Sequence, residues 1–489
     1  MSFTAMGDAA ERRRRSDTVW SSLDIYDTRN RKVATALAAI ARLFDEQRPL
    51  QGGESEFLSL YDNLHALSPQ AFTRLVSSPE AYCWVHHAYE LIQIHFRSGN
   101  GEREDTKGPI SKHLEAFKVL AAGAFFTDGQ AIAFDAPCSC EMPVNLPCTN
   151  LLLDGDGPVS LHGVAGGQVH VSVGGEKFRL SPQSDRPEEP GREPVSLLRQ
   201  ALLSLDGGEI LLSPYVFQPS RIESADRANT LAVGYEGHHR LLPRMQESFE
   251  VMRRFAPDDY KQIAATVSCI GLNDPAQSDR SQTSLSDMPG TFIVPCYVNP
   301  FPNIECIIHE YFHNRLFALE EAGQIFIDQE DEQGRSARTL FSPWRVAARP
   351  IKGLLHSTYV FIPVTRFWLA VYEGTDDADP IRAYALDDSI RQILNLRIGM
   401  HLLRNHGRFT EYGETIIAAM ESSVAEIIER AEQAGIAHDA PAMQNNLDGT
   451  VTPLKWSGYE RTVTVRENLR ANIQHHDVNG DCRDLPFAI

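Results

Sequence analysis

Apolar residues recur three and four positions apart through most of Trp20 to Phe126, most clearly in RKVATALAAIARLFDEQ and EAYCWVHHAYELIQIHF. That period predicts helices with one buried face. From Asn150 to Leu180 the text changes to short alternating runs split by Asp-Gly and Gly-Gly pairs, the pattern of β-hairpins. Ser181 to Pro194 is polar and Pro-rich and reads as a linker. A helix is expected over Pro194–Leu205 and a strand over Glu209–Phe217. Leu242–Phe255 has helical periodicity, and ATVSCIGL and TFIVPCYV read as strands joined by the polar loop NDPAQSDRSQTSLSDMPG. In Asn303–Ala322 the residues Ile304, Ile308, Phe312, Leu316 and Leu319 form one apolar stripe. Pro350 opens another helix, and helical periodicity returns from Asp379 to Gly435. The tail from about Gln444 is polar and indistinct.

The pattern predicts a mostly helical α+β fold, with a helical half around the 303–322 helix and a small β-rich segment. The expected divisions are a helical region 1–135, a β-rich segment and linker 136–235, a catalytic domain 236–440 and a polar tail 441–489.

Composition narrows the function classes. The 489 residues are 42% apolar and 23% charged, enough for a large core without disulfide or metal staples. A net charge of −19 disfavours nucleic acid and anionic membrane surfaces as partners. The most apolar stretch, Gly353–Tyr372, carries His356 and Arg366 and is interrupted by Pro363, so a buried helix is expected rather than a membrane span. Arg12–Arg15 is basic but no apolar run follows it, which argues against a secretory signal and for a frayed, solvated terminus. Eight scattered cysteines then read as reduced thiols in the cytoplasm. Cys138, Cys140 and Cys148 offer three sulfurs where a structural zinc site wants four, so a metal is not expected there.

The sharpest chemical signal is His309-Glu310-Tyr311-Phe312-His313 inside the 303–322 helix. Residues four apart stack on one helical face, so both imidazoles can reach one ion. They lie beside the apolar stripe, at the edge of the core. The extension that supplies a further His in one class of zinc peptidases is missing, its positions being Leu316 and Leu319. Glu320 and Glu321 read as too far along the same helix to be a third ligand, and Glu330 and Glu332 as part of a solvated loop. His356, in the next apolar helix, is the better third ligand. Arg349, Lys352 and His356 are spaced as one helical face. Cations clustered beside a buried His suggest an anion between them, such as a dicarboxylate with one end on the metal and the other on Arg. Three such ligands suit Fe(II) as well as Zn, so the donors alone leave both open.

TSLSDMPGTFIVP, IIHEYFHNRL and PWRVAARPIKGLLHSTYVF together resemble the HExxH-motif peptide-modification family, the 2-oxoglutarate-dependent HExxH-type peptide β-hydroxylases. The resemblance covers Leu242 to Tyr372 and extends through the helices to Gly435. It implies Fe(II), with 2-oxoglutarate and O2 as co-substrates, and hydroxylation at a β-carbon of a residue in a ribosomal peptide or small protein. It implies His309, His313 and His356 as metal ligands, and Arg349, Arg345 and Lys352 as the cationic group around the co-substrate. Glu310 would then be an outer acceptor or proton carrier, and Ser284 and Ser286 would line the pocket, although as turn residues they need no function. Two other readings stay open: a zinc metallopeptidase with Glu310 as general base, and a non-catalytic peptide-binding protein that holds a metal.

The adjacent pairs His86-His87 and His238-His239 point apart and make poor chelates. His475-His476-Asp477 is expected to be exposed, and Phe361, Phe367, Trp368 and Tyr372 to be helix core. No nucleophile elbow and no phosphate loop is present in the sequence.

Overall fold

The computed structural model describes residues 24–46, 52–97, 104–141, 144–155, 158–182, 194–213, 235–273, 282–284, 286–327, 339–436, 443–445, 451–453, 459–477, 480, 482 and 485. Arg12–Arg15, Glu330, Glu332, residues 183–193 of the expected linker and residues 274–281 and 285 of the expected loop 273–290 lie outside them. The described residues form twelve helices and sixteen strands, a mostly helical α+β fold. They divide into two compact units, one built from 24–248 and 263–303, the other from 249–262 and 304–489.

The first unit starts with five helices: α1 (Asp24–Glu46), α2 (Gly52–Leu64), α3 (Pro69–Ser77), α4 (Pro79–Arg97) and α5 (Glu104–Thr127). Their apolar stripes meet around Phe44, Phe57, Trp84 and Phe117, all fully buried, with Phe57 stacked 5.8 Å from Trp84 and Phe117 4.8 Å from Trp84. α3 is capped by Ser68, whose hydroxyl accepts from the Ala71 amide at 3.2 Å. Lys118 on α5 is buried and pairs with Glu56 of α2 at 2.8 Å and Glu115 at 2.9 Å. It also donates to the Ala136 carbonyl at 2.9 Å, which ties both helices to the first strand.

Nine strands follow: β1 (Ile132–Glu141), β2 (Val144–Leu146), β3 (Leu151–Gly155), β4 (Pro158–Ala165), β5 (Gln168–Val173), β6 (Glu176–Leu180), β7 (Val195–Arg199), β8 (Ala201–Leu205) and β9 (Gly208–Leu212). The expected hairpins are β4–β5 and β5–β6, turning at Gly166-Gly167 and Gly174-Gly175 in an antiparallel sheet of order β1-β4-β5-β6. The expected helix over 194–205 is instead β7 and β8. Val195, Leu197, Ala201 and Leu203 are buried while Ser196 and Leu202 are half-buried, an alternation too short to separate from helical spacing by itself. Pairing decided it, β7 against β3 and β8 against β9.

After α6 (Tyr235–Phe255) and α7 (Pro257–Thr266) come β10 (Cys269–Asn273), β11 (Thr283–Ser284) and β12 (Thr291–Pro295). β10 lies parallel to both β12 and β9, in a sheet of order β11-β12-β10-β9-β8. Residues 263–303 group by contact with the β-rich segment. Gly290, before β12, has φ +74°, and a Cβ there would sit 2.7 Å from the Thr266 carbonyl oxygen.

The second unit contains most of α8 (Pro300–Ala322), then β13 (Thr339–Ser342), β14 (Ala347–Pro350), α9 (Ile351–Gly374), α10 (Pro380–His406), α11 (Glu411–Gln433), β15 (Met443–Asn445), β16 (Val451–Pro453) and α12 (Tyr459–His476). α9 is apolar all round and packs on α10 and α11. It is long and apolar enough to cross a membrane, but 78% of that window is buried, as in a core helix. α12 corrects the indistinct tail: a polar sequence that carries buried Leu469 packs against α10.

Candidate metal centre

α8 and α9 run antiparallel, and their side-chain pairs descend one helix as they climb the other. Lys352 Nζ is 3.3 Å from Glu320, the His356 ring lies 5.3 Å from Phe317 and 5.4 Å from His313, Phe361 is 5.0 Å from His309, and Trp368 Nε1 donates to Glu305 at 3.1 Å. His313, Phe317 and Glu320 share one face of α8 by their i, i+4, i+7 spacing. Packing α9 on that face brings His356 to the motif.

The three imidazoles meet. His309 Nε2 and His313 Nε2 are 3.2 Å apart, and His313 Nδ1 is 3.2 Å from His356 Nδ1. Two nitrogens on one ion, each bound at ~2.0–2.1 Å, sit roughly 3 Å apart, so each contact has the spacing of a ligand pair. His313 turns one nitrogen to each neighbour, so the trio does not converge on a single point; among the described residues the group with three ligand atoms mutually within 4.8 Å is a different one.

Electrostatics favour the ligating form. Burial, with help from Arg345, lowers His309 to about 4. His313 falls to about 2 through burial, then its two imidazole neighbours, then Arg345 and Arg349. Both rings are neutral near pH 7 with lone pairs available for a cation. Because each folded value lies below the unfolded 6.5, what these two rings contribute to the stability of metal-free protein is fully present above pH 6.5 and is lost as pH falls toward 4. For His309 alone the full loss is about 3 kcal/mol. Thermal melts between pH 7 and 4 check this, and a His309→Asn variant is expected to show a flatter profile.

Sequence reasoning missed Glu320. Its carboxylate sits 3.1 Å from His356 Nε2, the nitrogen turned away from His313. Burial raises the Glu320 pKa, but the bonds from His356 and Lys352 outweigh it and hold the group below the usual carboxylate value. Its distance along α8 excludes it as a partner of His309, yet α9 brings His356 to it. The i+7 spacing from His313 was the signal that could have found it.

The cations are arranged differently from the expected helical face. Arg349 lies in β14, before α9 begins at Ile351, and is half-buried with its side chain over Gly353. Lys352 is on α9 but is engaged by Glu320. Arg345, in the β13–β14 turn, is exposed and acts on both His309 and His313. Glu310 is buried, with Oε1 3.8 Å from His309 Nε2. Phe361, expected in the core, is half-buried against His309 and stacks on Trp344 at 5.3 Å, while Phe367, Trp368 and Tyr372 are core.

The remaining candidates resolve individually. Ser284 is half-buried in β11, and Ser286 is exposed in the turn that carries Asp287. His238 is buried and accepts from the Leu272 amide at 3.1 Å, a structural role. His475 is exposed. Cys138 and Cys140 are buried side by side at 3.5 Å as free thiols, and their mutual contact, then burial, pushes Cys138 up.

No protein-family model matches the chain, and no curated protein matches it.

Proposed function

We propose that the chain is an Fe(II)- and 2-oxoglutarate-dependent oxygenase that hydroxylates a β-carbon of a residue in a peptide or small protein. One observation carries this reading: a half-buried cluster of imidazoles from α8 and α9, with Arg345 and Arg349 beside it. A five-carbon oxo-diacid has a carboxylate for such a pair of Arg.

His309 and His313, through their facing Nε2 atoms, and His356, after its ring and that of His313 turn from the arrangement seen here, would hold the iron, which when bound supplies O2 activation coupled to oxidative decarboxylation of 2-oxoglutarate. The chain's own residues prepare that site. Burial keeps His309 and His313 unprotonated. Glu320 accepts from His356 Nε2 and leaves Nδ1 directed at His313, so the carboxylate sets the tautomer and the ring orientation. Arg345 and Arg349 would take the distal carboxylate of the co-substrate. Phe361 and Phe317 wall the cluster with apolar surface and limit water around it.

The second reading, a zinc metallopeptidase, is favoured by Glu310 alone, whose 3.8 Å approach to His309 Nε2 would let it serve a water on a metal held there. Anaerobic protein loaded with Fe(II), then given 2-oxoglutarate and O2, is expected to release succinate. Peptide cleavage with zinc and no succinate with iron would overturn the proposal, and metal bound with neither product would leave a binding protein. Arg349→Ala is expected to raise the KM for 2-oxoglutarate about 10–100-fold, the worth of a charge-assisted hydrogen bond, while iron stays bound. An unchanged KM in both Arg349→Ala and Arg345→Ala would remove the cationic rim from the mechanism.

A further inference from the structure

We propose that Cys83, His87 and Asp287 form a second metal site, suited to Zn(II) or a similar borderline ion and separate from the imidazole cluster. Cys83 and His87 lie four apart on α4 and so share a face. The 286–290 turn before β12 brings Asp287 to that face. Its Oδ2 is 3.4 Å from His87 Nε2 and 3.9 Å from Cys83 Sγ, and all three ligand atoms lie within 4.8 Å of one another. Among the described residues no other trio of possible ligands meets that condition.

In a tetrahedral zinc site with bonds of ~2.0–2.3 Å, ligand atoms stand roughly 3.3–3.6 Å apart, so His87 and Asp287 already have the spacing of a ligand pair and the sulfur closes on them when the ion binds. A thiolate with an imidazole selects zinc, cobalt or copper over magnesium and calcium. The same three residue types also serve nucleophilic catalysis, but Cys83 is fully buried against Met288, where a substrate has no access. An ion does have a path: the His87 and Asp287 side chains are 32% and 21% exposed. Three protein ligands leave a fourth position for water on that side. On binding, the Cys83 thiol gives its proton to solvent and the sulfur takes up the metal. The ion would fasten α4 to the turn that leads into β12, two parts of the first unit far apart in sequence.

The test uses the full chain with the first cluster disabled, His309→Ala/His313→Ala, titrated with Co(II) under reducing, anaerobic conditions. The expected result is one bound cobalt with a near-ultraviolet thiolate-to-cobalt charge-transfer band. Cys83→Ser abolishes the band, and Cys306→Ser, which changes the thiol nearest the motif in α8, leaves it intact. Absence of the band, or its survival in Cys83→Ser, overturns the proposal. Should Cys83→Ser fail to fold, the partly exposed positions decide: His87→Ala and Asp287→Asn must each lower bound cobalt in protein whose circular dichroism is unchanged, and full occupancy in both overturns the site.

Discussion

His313→Ala is expected to leave the purified protein without stoichiometric metal and without activity. His313 is the central ring: its Nε2 faces His309 and its Nδ1 faces His356, each at 3.2 Å. Removing it deletes one ligand and separates the other two. His356→Ala is expected to lose the metal as well. Glu320→Gln is the graded counterpart, because the amide oxygen can still accept from His356 Nε2. Losing an outer carboxylate of this kind costs ~10–100-fold in affinity, less than a missing ligand. Elemental analysis of dialysed protein, with competition against a chelator, reads these levels. Because Cys83, His87 and Asp287 offer a second place for an ion, occupancy at the α8–α9 cluster is to be measured in a Cys83→Ser background. Full occupancy there in His313→Ala would eliminate the imidazole centre. Full occupancy in His356→Ala alone would move the third position to a carboxylate, and Glu320 is within reach of the same place.

The largest expected effect on stability is at Lys118. Burial alone would push this ammonium down, but the hydrogen bonds it donates to Glu56 and Glu115 raise its pKa and keep it charged. Glu56 has little other access to solvent, its side chain being 9% exposed, and it also accepts from the Ala136 amide at 3.1 Å. Lys118→Ala leaves that carboxylate buried without its cation, an expected cost of about 3–5 kcal/mol in chemical denaturation. Lys118→Met with Glu56→Gln removes the charges together and is expected to recover most of the loss. A single variant that costs under about 1 kcal/mol, the level of a surface pair, would mean that the network is solvated and contributes little.

The elements with the longest patterns were the easiest to read. α8 and α11 show the helical period, and α9 and α10 were legible by the length of their apolar pattern. The Gly-Gly hairpins of the β4–β6 sheet were legible because φ > 0 at the turns demands glycine. Short apolar runs were not: 194–205 reads equally as one helix or two strands until partners are assigned. α12 was missed because its sequence is polar. Arg349 was misplaced because a regular i, i+3, i+7 spacing was extended through Pro350, which ends β14 and caps α9.

The same division runs through the candidate sites. Within α8 the chain itself set His309 beside His313, as within α4 it set Cys83 beside His87, because a four-residue step is one turn and its geometry is local. The contact of His356 with Glu320 and His313 arises only when α9 packs antiparallel on α8. The contact of Asp287 with α4 arises only when β12 enters its sheet. Both depend on which apolar faces bury one another across many residues of intervening chain, and periodicity along a single helix does not encode that choice.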